Sequence, residues 1–203
     1  MMLNRVINIL LKPTSEWQVI ANEPSSVGGI FAGYAIPFSL LQAVAGVVAL
    51  GVLGIGSEMM AQTGLSIALP AVIARVVVGF VLGLGLLYAL AYIGSLIAPS
   101  FNGNSDLVQA LKLFTYSSTP TWVIGVLAPF FLGSAGLMIL FGLLSLASIG
   151  YAIYLIYIGA SPVMGIAQEK LAGFTVVIIA IYIALGLVVY GVTSAVEKVA
   201  LFG

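Results

Sequence analysis

The chain is 203 residues long, 62% of them hydrophobic and only 6% charged, with a mean hydropathy of +1.26. A soluble domain needs roughly 25% charged residues to face water, so a water-exposed globule is excluded and lipid is the solvent that suits this composition. Six basic and six acidic side chains leave no net charge and no basic surface for a nucleic-acid partner, while the absence of Cys and His removes thiol chemistry, the commonest general base and the commonest metal ligand.

By length the chain is one domain. At its start Leu3, Val6, Ile7, Leu10 and Leu11 recur at helical spacing, flanked by Asn4, Arg5, Asn8 and Lys12, which predicts an amphipathic helix. About ten residues cannot cross a core of roughly 30 Å, so this helix is expected to lie in the interface until Pro13 breaks it. The polar interruptions and Pro13 do not fit a cleavable signal peptide. Ser15-Glu16-Trp17-Gln18 reads as a capping box for a second short helix to about Asn22, with Trp17 at headgroup depth. Arg5, Lys12 and Trp17 are thus the expected interfacial anchors. Residues 1–26 read as a cytoplasmic or interfacial segment and 27–203 as the transmembrane domain.

The fold class read from the pattern is all-α, a polytopic bundle of five transmembrane helices. The first span runs from Gly28 to about Gly56, bent near Pro37, and a polar loop from Glu58 to Gly64 follows. The second lies within Leu69 to Ala98. Pro99 to Asn104 is rich in turn residues, after which Ser105 or Asp106 caps a third helix running to about Leu132, kinked at Pro120. The short Gly133-Ser134-Ala135-Gly136 turn makes the third and fourth helices an antiparallel hairpin. The fourth spans about Leu137 to Ile158, a loop covers Gly159 to Ala172, and the fifth runs from Gly173 to about Val192. Its Leu, Ile, Val and Phe residues sum to an insertion free energy on the order of −4 to −7 kcal/mol. Arg75 costs about 2.5–3.5 kcal/mol if central, but it lies near one end of the second span and can snorkel. No internal repeat or low-complexity tail is present.

With the N-terminus inside, Arg5, Lys12, Lys112 and Lys170 are cytoplasmic and Lys198 is external, the arrangement the positive-inside rule favours. Arg75 then falls toward the outer face, a vote against.

Candidate chemistry is sparse. The single Asp (Asp106), the lack of His and the lack of a phosphate-binding Gly-rich run argue against hydrolase, metal and nucleotide sites. Gly83-Leu84-Gly85 lies inside an apolar helix with no strand before it, which is not a dinucleotide fingerprint. No enzyme activity, cofactor or metal is expected. Arg75 is either an ion site, or half of a gating pair with Glu58 or Glu197, or an interfacial Arg near a helix end; the last is favoured. Gln42, Tyr116, Ser117, Ser118 and Thr119 either line a solute path, with the Pro120 kink freeing carbonyls, or hydrogen-bond between helices. The pairs Gly29/Gly33 and Gly79/Gly83 have the small-xxx-small spacing suited to close helix packing, within a chain or in a homo-oligomer. Tyr151, Tyr154 and Tyr157 track one helix face, as core or interfacial anchors.

Several segments together resemble the prokaryotic branch of the Yip1 family: Lys12-Pro13 with Trp17 and Ile20, then Tyr34 and Pro37, then Phe101-Asn102-Gly103. Gln109-Ala110-Leu111-Lys112 and Tyr116-Ser117-Ser118-Thr119-Pro120 with Trp122 continue the likeness. Tyr151, Tyr154-Leu155, Tyr157-Ile158-Gly159 and Glu169-Lys170 complete it. The resemblance implies a five-helix membrane domain behind a cytoplasmic N-terminal segment. Eukaryotic relatives associate with Rab GTPases and with each other, but their Asp-Leu-Tyr-Gly-Pro-like motif has no counterpart here, so that role does not carry over. The functional expectation is a non-catalytic adaptor or membrane-organising factor in the plasma (inner) membrane of a prokaryote, with the lipid bilayer and membrane proteins as partners. The alternative is a small channel or transporter with a polar path near Arg75, Gln42 and Tyr116.

Overall fold

The computed structural model of the chain describes residues 2–49, 69–131 and 134–202, the side chains of 69–72 and 195–202 excepted. The described residues form helices and connecting turns, without a strand. That is the expected answer to lipid, where each backbone N–H and C=O must find its partner within its own segment. The expected loop at Glu58–Gly64, the end of the first span and the side chain of Glu197 lie outside the described residues.

Two short helices, α1 (Met2–Leu11) and α2 (Pro13–Asn22), open the chain. Pro13 occupies the first turn of α2, where its missing N–H costs nothing. The capping box is not formed: the helix starts earlier than expected, and the Ser15 hydroxyl instead donates to Lys12 O at 3.0 Å. Ser26 caps the first span, its Oγ accepting from Gly29 N at 3.1 Å. The span runs through α3 (Val27–Ile30), a π turn (Phe31–Ala35) and α4 (Ile36–Val47). Pro37 sits at the start of α4, and the wide turn just before it absorbs the missing donor and the ring. Then come α5 (Leu69–Ile97), a 3-10 turn (Ala98–Phe101), α6 (Leu107–Ser117), α7 (Thr119–Val126), α8 (Ala128–Phe131), α9 (Ala135–Met164) and α10 (Leu171–Phe202).

Among the described residues four helices are long and apolar enough to cross a membrane: Val27–Val47, Ile73–Phe101, Ala135–Met164 and Gln168–Ser194. The expected third span is not one helix. It is broken at Ser118, ahead of Pro120, and again at Leu127, ahead of Pro129, into α6, α7 and α8. Asp106 does cap α6, its Oδ1 accepting from Val108 N (2.8 Å) and Gln109 N (3.1 Å). The expected long loop after the fourth span shrinks to residues 165–170, because α9 continues through Pro162 to Met164 and ends on Gly165 at φ 71°. That left-handed position is one glycine adopts without strain.

The core sits at one end of the bundle. Helix α6 is its axis, buried continuously from Ala110 to Ser117 and packed against α5, α9 and α3. At the same end, Asn104 N donates to Met164 O (2.8 Å), and Lys170 Nζ donates to Ser100 O (3.2 Å) and Asn102 Oδ1 (3.0 Å). These bonds tie the turn before α6 to the turn after α9. The N-terminal pair belongs to this core, contributing Ile9, Trp17 and Ile20. Trp17 is therefore no headgroup anchor: its indole is wholly buried, with Gly159 of α9 giving it room. The opposite end is open, and Ile139, Leu143, Leu146 and Ile149 of α9 are half or more exposed, as lipid-facing residues should be.

A Cβ at Gly159 would lie 2.6 Å from Trp17 Cε2 and 2.8 Å from Leu113 Cδ1. Gly159→Val should therefore push α2 off the bundle and cost about 1–3 kcal/mol, seen as a lower melting temperature in detergent. Gly186→Val, where a Cβ meets nothing within 4 Å among the described residues, should leave melting unchanged.

Candidate functional site

Polar side chains gather where α1 and α2 lie over the start of the first span. Arg5 of α1 pairs with both Glu16 of α2 and Glu23 just beyond it. Asn8, one turn after Arg5, donates from Nδ2 to the other Glu16 oxygen at 3.0 Å. Glu16 is 7% exposed and Glu23 is half exposed. The Arg5 guanidinium also stands 5.4 Å over the Tyr116 ring, within the range of a cation–π attraction. Together they wall a cleft of about 640 Å³, whose other side is Ser26, Gly29, Gly33 and Tyr34 of the first span.

The second polar element holds the first in place. Lys112 is 2% exposed, and its ammonium donates to Ile20 O (2.9 Å) and Glu23 O (2.6 Å). Gln109, one turn earlier, donates from Nε2 to Ala21 O at 3.2 Å. These are orphan carbonyls at the end of α2, where a cation also meets the negative end of the helix dipole.

Beneath the cleft lies an aromatic layer. Tyr34 meets Tyr116 edge-on at 4.8 Å and Phe38 at 4.9 Å, and Phe38 stacks on Trp122 at 5.8 Å. Thr119 Oγ1 donates to Tyr116 O (2.7 Å), so Tyr34 donates its own hydroxyl to Thr119 Oγ1 (2.8 Å). Beyond this layer is a second cavity of about 330 Å³, lined by Ser39, Gln42, Gly79, Gly83, Ser118 and Trp122 among others.

The residues singled out from the sequence are thus dispersed. Tyr116 lines the outer cleft and Gln42 the inner cavity. Ser117 is buried in the core, its Oγ without a hydrogen-bond partner among the described residues. Pro120 is buried at the start of α7. The carbonyls near its break are not left free: Ser118 Oγ takes Phe114 O, Thr119 Oγ1 takes Tyr116 O and Thr121 Oγ1 takes Ser118 O. Arg75 is exposed on α5 and lines neither cavity. Arg5 is an ion-paired residue of the cleft, and Lys12 is exposed beside Pro13. Among the described residues Gly33, Gly79 and Gly83 make no close helix contact, since a Cβ there meets nothing within 4 Å, and one at Gly29 meets only its own Ser26 cap. They widen the two cavities instead. The close approaches among the described residues are at Gly94 to Phe114, Gly125 to Gln42 and Gly159 to Trp17 on the helices, and at Gly103 to Ile166 in the turns.

A family model described as the Yip1 domain matches residues 7–190. The chain belongs to that family. The match takes in the Yip1 domain's share of the site, from Glu16 and Glu23 through Lys112 and Tyr116 to Trp122, and leaves Arg5 just outside it. No curated protein and no solved structure matches significantly. In the sequence Gln109 stands out only through the family likeness, and Lys112 only through that likeness and the count of basic residues that sets topology. Their signal was present: a Lys and a Gln one turn apart in an otherwise apolar helix must find polar partners.

Lys112→Met should leave the α2 carbonyls buried and unmet, at a cost of about 1–3 kcal/mol. The expected outcome is a lower melting temperature in detergent and faster protease cutting between α2 and the first span, with membrane insertion retained.

Proposed function

We propose that this Yip1-family membrane protein is a non-catalytic adaptor or membrane-organising factor, working through its N-terminal helix pair. The observation that carries the reading is the two-sided use of α1. Ile9 is buried in the core, while Leu3, Ile7 and Leu11, spaced four apart, are 71%, 52% and 74% exposed. One face fixes the helix to the bundle, and the other offers an apolar stripe at the level where the chain meets the interface. Arg5 ties α1 to Glu16 of α2 and to one oxygen of Glu23, a structural rather than catalytic use. The support for a cytoplasmic setting of this end, in the plasma membrane of a prokaryote, is the gathering of Arg5, Lys12, Lys112 and Lys170 there, with the positive-inside rule and the family likeness. Membrane proteins, or a second copy of the chain, are the proposed partners. A transport role finds support in the Gln42 cavity, but the Tyr34–Phe38–Trp122 layer stands between it and the charged cleft.

Because α1 and α2 complete the core, deletion of them tests stability as well as docking, and surface substitutions are the cleaner probe. Leu3→Ser, Ile7→Ser and Leu11→Ser together should keep insertion and melting temperature and abolish capture of membrane partners; recovery of the same partners would refute the reading. Flux of a solute across vesicles that disappears with Gln42→Leu would favour transport instead.

The chain is free of cysteine, so single labels report orientation directly. Ser105→Cys should react with an impermeant maleimide only after the membrane is opened, and Ala135→Cys in intact cells. The reverse pattern would invert the proposed topology.

A further inference from the structure

The charged cleft is larger than its ion pairs require, and its bonding capacity is unevenly spent. Glu16 has both oxygens engaged, one by Arg5 and one by Asn8. Glu23 gives one oxygen to Arg5, and the half-exposed remainder of its carboxylate borders the cleft. Arg5 has five N–H donors, and its two ion pairs occupy one on each terminal nitrogen. Ser26 Oγ accepts from Gly29 N and keeps its own proton to donate. Two carboxylates and one guanidinium line the cleft, and the Lys112 ammonium stands behind Glu23 on its carbonyl, so the cleft offers groups of both signs with hydroxyls close by.

The wall opposite α1 is Gly29 and Gly33, both exposed, and among the described residues nothing stands within 4 Å of a Cβ at Gly33. One turn further along the span Ile36 and Leu40 are exposed, and on the other flank so are Leu3 and Ile7 of α1. The mouth therefore opens at the level where apolar surface gives way to charge, which in a bilayer is the headgroup layer.

We infer that this cleft is a binding site for a phosphoethanolamine headgroup, with the primary ammonium on Glu23 and the phosphate toward Arg5 and Ser26. A primary ammonium can donate hydrogen bonds to a carboxylate, whereas the quaternary ammonium of choline cannot. Phosphoglycerol carries no ammonium at all and leaves the free Glu23 oxygen without a cationic donor. The selectivity order is ethanolamine over choline over glycerol. The site is distinguishable from the docking role above, because its polar contacts are those of Arg5, Glu23 and Ser26, whereas the docking role rests on the Leu3–Ile7–Leu11 stripe that flanks its mouth.

The experiment uses the full chain in mixed micelles holding equal amounts of phosphatidylethanolamine, phosphatidylcholine and phosphatidylglycerol, with retained lipid measured by mass spectrometry. Phosphatidylethanolamine should be enriched at least about fivefold, the order that one charge-assisted hydrogen bond supports. Glu23→Gln removes the charge yet leaves the Glu23 carbonyl to hold Lys112. Gly33→Leu fills the mouth without changing any charge. Each should bring retention to parity, and Gly186→Leu should not. Soluble phosphoethanolamine that displaces the lipid assigns the site to the headgroup alone, while displacement only by chain-bearing lipid assigns it to the bilayer. Equal retention of the three lipids by the unaltered chain, or enrichment that survives both Glu23→Gln and Gly33→Leu, would overturn the proposal. Partner capture by the same variants should be unchanged, which separates failure of this site from failure of the docking role.

Discussion

A buried ammonium at the end of a short helix organises one half of this molecule. Lys112 reaches from the centre of α6 to the carbonyls of Ile20 and Glu23, and a hydrogen bond to a charged group is worth about 1.5–3 kcal/mol. The energy is less important than the geometry it imposes. Once the end of α2 is held, Trp17 falls into the notch at Gly159, and α1 follows through Tyr151, whose hydroxyl donates to Leu10 O at 2.9 Å. Only then does Arg5 stand over Tyr116 between two carboxylates. The cleft is therefore a consequence of where Lys112 sits, four helices away in sequence.

That dependence explains why the packing is so uneven along the bundle. In lipid, apolar side chains gain nothing from burying against one another rather than against acyl chains, so the far halves of α9 and α10 leave their Leu, Ile and Val residues exposed. Close packing appears where polar groups must be met: the helix ends, the break at Ser118 and the turn at Asn102. Ser118, Thr119 and Thr121 supply hydroxyls to three carbonyls within one turn of that break. A proline that would leave bonds open in an isolated helix is tolerated because its neighbours close them.

Composition and helical spacing were enough to read an all-α membrane bundle, the two short N-terminal helices, the Asp106 cap and four of the spans. The third span and its kink near Pro120 are legible too, but hydropathy records only that residues 107–131 are apolar, not that hydroxyl side chains end one helix and start the next. The fourth was drawn too short because Pro162 and the polar residues after it resemble a loop, whereas Pro162 lies in a last turn whose carbonyls are met by Gly165 N and Ile166 N. Trp17 carried the wrong expectation for a similar reason. An aromatic residue between polar neighbours suits a headgroup belt, and only the glycine at 159, distant in sequence, shows that it has an interior place. Glycine spacing was equally silent on whether a gap is closed or kept open. At Gly125 it admits Gln42; at Gly79 and Gly83 it leaves room in a cavity.

The few charges also change meaning once their partners are known. Arg5 is held by carboxylates, Lys112 by carbonyls and Lys170 by the Ser100 carbonyl and the Asn102 side chain. Positive residues that a topology rule counts as markers of one side are here struts joining α1, α2, α6 and the turns. The two uses do not conflict. Orientation is set during insertion, when Lys and Arg near the ends of spans count and acidic residues contribute little. The same side chains then find their acceptors when the helices come together. A chain with so little charge has placed half of its basic residues, Arg5, Lys112 and Lys170, where each can serve both steps, which is why the end that collects them is also the end that packs, and the end that holds a cleft.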